Sequence, residues 1–169
     1  MTKPIKIIEC PRDAMQGIKT FIPTEMKVQY IQSLLRVGFD TIDFGSFVSS
    51  KAIPQMVDTA EVLAKLDLSN TTSKLLAIVA NTRGASDASQ YSEIDYLGYP
   101  FSISENFQMR NTHKTIAQSV VTLQEILNIA TKSNKGLSYP KRNKFRPIRP
   151  NPIKPILIFF FMLFHLLNY

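Results

Sequence analysis

The 169-residue sequence has a single cysteine, Cys10, and only six glycines. One cysteine excludes an internal disulfide framework and a zinc cluster built on several cysteines. No G-x-G-x-x-G follows the first apolar run and no G-x-x-x-x-G-K-[ST] occurs anywhere, so the common nucleotide-binding folds are disfavoured. The first ten residues also lack the long apolar segment of a secretory signal. These absences favour a reducing, cytoplasmic setting.

Acidic residues are absent from residues 138–169, which we call the tail. Residues 1–137 carry 14 Lys and Arg against all 13 acids, whereas the tail carries six basic residues and half of the 10 prolines. The positive net charge therefore belongs to the tail and indicates no partner for the main body. The tail's apolar run at 156–164 is far shorter than the roughly 20 residues of a spanning helix. We divide the chain into a domain at 1–137 and the tail at 138–169.

Within residues 1–137, short apolar segments alternate four times with segments of helical periodicity. This alternation predicts an α/β fold with a parallel sheet covered by helices, and it leaves open whether the sheet is doubly wound or a barrel. The chain is short for a barrel, which usually takes about 250 residues. The predicted strands are 5–10, 41–45, 75–79 and 96–101. The predicted helices are 23–37, which Gly38 ends, 56–66, 85–90 and 115–132, which Asn134-Lys135-Gly136 ends. We expect 11–21 and 104–114 to be loops.

Charged side chains lie just after the first predicted strand and near the end of the second. Arg12 and Asp13 come after the first strand and Asp43 lies near the end of the second. Ligands bind at the carboxyl ends of strands in α/β folds. An aspartate can bind a divalent cation, and an arginine can stabilise an oxyanion. The alternatives are a solvated loop pair and a strand-end cap, and Cys10 fits a small packed residue better than a nucleophile.

Three segments resemble the hydroxymethylglutaryl-CoA lyase family of the DRE-TIM metallolyase superfamily. They are IIECPRDAMQ at 7–16, IDFGSFVSSKAIPQM at 42–56 and residues 75–84, and Arg110-Asn111 continue the match. The resemblance covers about residues 4–137, which corresponds to the N-terminal half of the family's eight-stranded (β/α) barrel. It implies cleavage of 3-hydroxy-3-methylglutaryl-CoA, an acyl-CoA, to acetyl-CoA and acetoacetate with a divalent cation, Mg or Mn.

The resemblance also implies roles for individual residues. Arg12 would polarise the carbonyl and stabilise the enolate of the product, and Asp13 would be a metal ligand. Asp43 would hold the acidic catalytic position, where many members carry the longer glutamate. The substrate-binding positions implied are Gln16, Ser46 and Asn111.

The sequence departs from the family in what it lacks. The family's His-x-His pair, its ligand Asn and its reactive Cys in a glycine-rich loop are absent; the only histidines are His113, in a polar segment, and His165, in the tail. We therefore expect the first four βα units of a truncated barrel, inactive by itself, with a tail that is out of frame or otherwise aberrant. A homo-oligomer is expected only for a complete barrel.

Two other functions stay open from the sequence. One is another enzyme of the superfamily, such as an isopropylmalate- or citramalate-synthase-like enzyme. The other is a non-catalytic binding fragment whose basic, apolar tail contacts a membrane surface, which we rank below the lyase. Nucleic-acid binding is not expected, because the tail contains no recognition module.

Overall fold

The computed structural model of the chain describes residues 5–139, so most of the predicted tail lies outside the described residues. These residues form one parallel sheet of five strands in the order β1-β2-β3-β4-β5, with helices in the connections. The predicted α/β fold with a parallel sheet is thereby confirmed. The strands are β1 (Ile8–Glu9), β2 (Thr41–Ser46), β3 (Lys74–Ile78), β4 (Tyr96–Gly98) and β5 (Gly136–Ser138).

Six α-helices connect or follow the strands, and local sequence explains their ends. Thr115 caps the longest helix in a capping box with Gln118, which satisfies the first free N–H groups of the helix. Gly38 adopts φ of 82° after the second helix, a conformation that glycine reaches without a Cβ clash. The helices are α1 (Pro11–Gln16), α2 (Thr24–Leu35), α3 (Thr59–Lys65), α4 (Thr82–Ser89), α5 (Glu105–Thr112) and α6 (Ile116–Lys132), and a 3-10 turn (Pro54–Met56) precedes α3.

The main core lies between one face of the sheet and the helices. Ile42 and Phe44 of β2 are fully or almost fully buried, and so is Leu75 of β3. Ile31 of α2 and Ile126 of α6 are completely buried in the same cluster. Each such side chain contributes about 1.5–3 kcal/mol by leaving water, so the packed helices hold the central strands in a fixed register.

The edge strand β1 differs from the prediction of a buried strand at 5–10. It has two residues, pairs with β2 alone among the described strands, and leaves Ile5 92% and Ile7 60% exposed. An apolar β-branched run indicates a strand but does not reveal that the strand lies at a sheet edge. The prediction of burial was therefore wrong for this segment.

Three elements were not predicted. Residues 11–16 and 105–112 are helical where loops were expected, so Asn111 lies on α5 rather than in a loop. The fifth strand, β5, straddles the predicted boundary between 137 and 138. Gly136 suggested only a helix stop, but it faces the Tyr96 ring on β4, where a Cβ would lie 2.3 Å from a ring carbon. A side chain at position 136 would therefore have to displace this ring.

Within residues 5–139, none of the helices has the length and apolar character needed to cross a membrane.

We predict that Gly84→Ala destabilises the fold by about 1–2 kcal/mol, because overpacking outweighs the better helix propensity of alanine. A Cβ at Gly84 would lie 2.4 Å from the backbone oxygen of Phe47, which cannot rotate away. Gly17→Ala is the matched control, since nothing lies within 4 Å of its Cβ position and its φ is negative. Urea unfolding of both variants checks this; equal midpoints would contradict it.

Candidate active site at the carboxyl end of the sheet

Arg12 is placed by the short connection between β1 and α1. Pro11 occupies the first turn of α1, where its missing N–H costs nothing and its fixed φ suits the helix. The backbone oxygen of Cys10 accepts from the N–H groups of Asp13 and Ala14, at 3.1 and 3.3 Å. The helix therefore starts directly at the end of β1, and the Arg12 side chain is buried, with 7% exposure.

Arg12 and Asp43 form a buried, forked ion pair. Arg12 Nε donates to both Asp43 carboxylate oxygens at 3.0 Å, and Nη2 donates to Oδ2 at 2.7 Å. Asp43 lies on β2 and its side chain is completely buried. The fork fixes the plane of the guanidinium as well as its position. It joins the start of α1, just after β1, to the neighbouring strand β2 through residues 31 positions apart in sequence.

Burial and the attraction between the two charges shift the pKa values of Arg12 and Asp43 in opposite directions. Burial by itself lowers the pKa of the Arg12 guanidinium, but Asp43 outweighs it and the pKa is raised. Arg12 is therefore a permanent cation. Burial raises the pKa of the Asp43 carboxyl, although the attraction of Arg12 opposes this. Since both carboxylate oxygens accept from the cation, we assign Asp43 as ionised at neutral pH.

A second side of the guanidinium contacts its own helix. Arg12 Nη1 donates to Gln16 Oε1 at 2.6 Å, and lies 3.4 Å from Asp13 Oδ1. Gln16 Nε2 donates to Asp13 Oδ1 at 3.0 Å. Asp13 is half exposed, whereas Arg12 is not. Arg12, Asp13, Gln16 and Asp43 thus form one cluster, and Asp13 is its solvent-facing carboxylate.

The other two predicted substrate-binding residues lie elsewhere. Ser46 is buried at the end of β2, where its Oγ donates to the Ile78 backbone oxygen at 3.3 Å and accepts from Val48 N at 3.2 Å. Asn111 is exposed on α5, and its Nδ2 donates to the Phe107 backbone oxygen at 3.0 Å. Neither side chain bonds to the Arg12 cluster, so the structure brings together four of the six predicted residues.

The described residues do not fit a complete site for a divalent cation. No group of three or more His, Cys, Asp or Glu within residues 5–139 could hold a metal ion. Both oxygens of Asp43 accept from Arg12, so Asp13 is the one carboxylate of the cluster that faces solvent. Mg²⁺ and Mn²⁺ need several oxygen or nitrogen ligands in a fixed geometry, which one carboxylate cannot supply.

Cys10 is half-buried before α1, and its environment keeps the thiol protonated. Burial and, next, the charge of Asp43 raise its pKa from 9.0 to about 12. A thiol with this pKa is a poor nucleophile at neutral pH. This agrees with the interpretation of Cys10 as a packing residue.

We predict that stability falls as the pH rises from about 9 to about 12, because the unfolded thiol ionises first and the folded thiol resists ionisation. Below pH 9 both states hold the proton and this contribution is fully present. Urea midpoints of the chain and of Cys10→Ala across this range check the prediction. The comparison with Cys10→Ala isolates the thiol, so parallel curves for the two proteins would contradict the prediction.

Sequence reasoning missed two buried polar residues beside this cluster. Gln55, in the 3-10 turn, is 3% exposed and Lys27, on α2, is 1% exposed. Gln55 bonds to the backbone of the loop between α1 and α2. Lys27 donates to the backbone oxygen of Gln55 and to Asp58. No periodic signal marks a buried glutamine, but the i, i+4 spacing of Arg12 and Gln16 would have indicated their contact if α1 had been predicted.

The fold and the cluster define a class of protein. A parallel sheet whose five strands lie side by side in chain order, with helical connections and a charged cluster joining β2 to the segment after β1, is the arrangement of part of a (β/α) barrel. Solved hydroxymethylglutaryl-CoA lyase structures agree with this assignment. That of the Pseudomonas aeruginosa enzyme matches with a TM-score of 0.73 and 29% identity, over 80% of this chain and 45% of that chain.

A second solved structure, an Acinetobacter baumannii HMG-CoA lyase in complex with coenzyme A and 3-methylmalate, matches with a TM-score of 0.74 and 29% identity, over 83% of this chain and 46% of that one. Among curated proteins, the rat cytoplasmic 3-hydroxy-3-methylglutaryl-CoA lyase is 32% identical over 133 residues, which are 77% of this chain and 38% of the relative. The bovine mitochondrial hydroxymethylglutaryl-CoA lyase is 34% identical over 131 residues, covering 76% of this chain and 39% of that protein. No family model matches the chain.

These similarities confirm the resemblance to hydroxymethylglutaryl-CoA lyase and to its barrel. The chain spans less than half the length of these relatives. What it shares with them is therefore a part of the lyase.

Proposed function

We propose that residues 5–139 carry the carbonyl-polarising part of an acyl-CoA carbon–carbon lyase site. The observation that supports this most is the buried fork between Arg12 and Asp43 at the carboxyl end of the sheet. It holds a permanent cation in one orientation, as the stabilisation of a developing oxyanion requires. The substrate we propose is 3-hydroxy-3-methylglutaryl-CoA, after the relatives that the chain resembles.

The chemistry of this substrate explains what Arg12 does. Cleavage breaks the bond between C2 and C3, and its electron pair moves toward the thioester carbonyl, giving the enolate of acetyl-CoA. The C3 hydroxyl loses its proton as it becomes the ketone of acetoacetate, and C2 later gains a proton. Asp43 Oδ2 accepts a hydrogen bond from one of the two N–H groups of Arg12 Nη2. In this proposal, the second N–H group donates to the enolate oxygen. The cation then stabilises charge that is larger in the transition state than in the substrate.

The other cluster residues have supporting roles in this proposal. Asp43 keeps Arg12 in place through the fork. It is also the acidic residue that the proposal places beside the substrate. Asp13 presents a half-exposed carboxylate, which suits one ligand of a divalent cation whose remaining ligands lie outside the described residues. We retain Gln16, Ser46 and Asn111 as proposed substrate-binding residues, Gln16 with the best support because it contacts both Arg12 and Asp13.

We predict that the 169-residue chain does not cleave 3-hydroxy-3-methylglutaryl-CoA with added Mg²⁺ or Mn²⁺, since the described residues do not hold the cation. The measurement is acetoacetate release, with an intact hydroxymethylglutaryl-CoA lyase as the positive control. Metal-dependent release by the chain would contradict the inactivity.

A chimera tests the proposed chemistry itself. Residues 5–139 replace the matching segment of the Pseudomonas aeruginosa lyase, to which they are 29% identical. We expect the chimera to bind metal and to release acetoacetate. A folded, metal-loaded chimera without turnover would overturn the proposed function. A panel containing α-keto acids with acetyl-CoA tests the alternative of an isopropylmalate- or citramalate-synthase-like enzyme.

Localisation and assembly remain proposals. The relatives include both cytoplasmic and mitochondrial lyases. We propose the cytoplasm, and a homo-oligomer only for a completed barrel. The alternative of a non-catalytic fragment with a membrane-associating tail depends on residues outside those described. Fractionation of cells expressing the chain checks the first of these proposals.

A further inference from the structure

The loop at 17–23 joins α1 to α2 and has little burial of its own. Residues 17–21 are all exposed, including the large apolar side chains of Ile18 and Phe21, each 47% exposed. A loop with so few buried contacts does not stay fixed by packing. Since it continues directly from Gln16, a fixed position for this loop also fixes the C-terminal end of α1, where Gln16 accepts from Arg12.

One buried side chain uses its hydrogen-bonding groups on this loop. Gln55 Nε2 donates to the backbone oxygens of Ile18 and Thr20 at 2.8 and 2.9 Å. Gln55 Oε1 accepts from Ile22 N at 2.8 Å. Three bonds from one side chain therefore hold three of the seven loop residues, and Gln55 itself is 3% exposed.

Gln55 is itself fixed by its neighbours. The Nζ of Lys27 bonds to the backbone oxygen of Gln55 and to Asp58 Oδ1, at 2.5 and 2.6 Å. Asp58 Oδ2 also accepts from Thr24 Oγ1 at 2.8 Å, at the start of α2. The same Nζ lies 4.0 Å from the centre of the Phe21 ring, so it contacts the loop as well.

The connection from the loop to Arg12 is short. Ile18 N donates to the Met15 backbone oxygen at 3.0 Å, and Met15 is buried in the core. The next residue of α1, Gln16, accepts from Arg12 Nη1. From these contacts we propose that Gln55 is a positioning residue: it holds the α1–α2 loop and, through α1, the orientation of the Arg12 guanidinium. Its catalytic consequence rests on the proposed function, but its geometry does not.

A spectroscopic readout tests this on the full chain without substrate. The Nε–H of Arg12 donates to both oxygens of Asp43 and is buried, so its hydrogen exchange is slow, and its NMR signal is identified by its loss in Arg12→Lys. Gln55→Met removes all three loop bonds. We expect it to accelerate exchange of the Arg12 Nε–H and of the Ile22 amide by about tenfold or more, the effect of about one net hydrogen bond.

Gln108→Met is the matched control. Gln108 on α5 is 1% exposed and also makes three bonds, to Ser102 N, Thr112 Oγ1 and Ser119 Oγ. We expect this variant to lose global stability to a similar extent and to leave exchange of the Arg12 Nε–H unchanged once corrected for that loss. Equal acceleration in both variants, or none in Gln55→Met, would overturn the proposal.

The unaltered chain provides a second test if Gln55→Met does not fold. In native-state exchange at low urea, the Ile22 amide and the Arg12 Nε–H should open in one event, below the free energy of global unfolding. Exchange of the Ile22 amide through a local opening, with the Arg12 Nε–H exchanging only through global unfolding, would contradict the proposal. An inactive chimera would contradict the proposed function and leave these rates unaffected, so the two failures are distinguishable.

Discussion

Arg12→Met is expected to lower the free energy of unfolding by about 3–5 kcal/mol, because it leaves the Asp43 carboxylate buried without its cation. The Asp43 side chain is completely buried, and within residues 5–139 its hydrogen bonds to side chains all come from Arg12. Methionine fills much of the arginine stem's volume, so the loss of charge dominates over the loss of packing. Urea unfolding monitored by circular dichroism measures the change.

A double variant separates the effect of the buried charge from the effect of lost packing. The double variant Arg12→Met, Asp43→Leu carries no buried charge at these positions and should recover most of the lost stability. Arg83→Met is the control, because Arg83 is 90% exposed in its side chain and its pair with Asp87 spans 3.8 Å. It should change stability by no more than about 0.5 kcal/mol. A double variant as unstable as Arg12→Met would contradict the buried-charge account.

The second large effect concerns catalysis in the chimera described above. Arg12→Lys should lower kcat/KM for 3-hydroxy-3-methylglutaryl-CoA by about 10²–10³-fold, the usual cost of removing a donor to an oxyanion. Lysine keeps the charge but cannot donate in a fork to Asp43, so its ammonium is neither held in the same plane nor aimed at the same oxygen. The loss should appear mainly in kcat, since the developing charge exists in the transition state.

The control for this prediction is Arg83→Lys in the same chimera, which should retain the activity of the unaltered chimera. Binding of coenzyme A by both variants, measured by calorimetry, shows whether the acyl-CoA site remains intact. A chimera in which Arg12→Lys and Arg83→Lys are equally active would show that Arg12 does not stabilise the enolate.

Local sequence predicted the fold class and the main elements because their signals repeat within a few residues. The apolar runs of β2 and β3, the helical spacing in α2 and the stop at Gly38 all depend on near neighbours. β5 was missed because a strand of three residues, one of them Gly136, is too short to show an alternating apolar pattern. In addition, the Tyr96 ring that this glycine faces is 40 positions away in sequence. The two missed helices, α1 and α5, are six and eight residues long and lack a clear apolar face.

The candidate site divides in the same way. The sequence by itself determined that charged residues lie after the first strand and within the second, and the resemblance implied their roles. Only the tertiary structure decided that Arg12 turns back onto Asp43, that Gln16 and Asp13 share its other side, and that Asn111 lies apart. It alone revealed Gln55 against the α1–α2 loop. The physical reason is that periodicity and capping are local, whereas ion pairs and buried hydrogen bonds join residues more than 30 positions apart, which only the packed sheet and helices bring together.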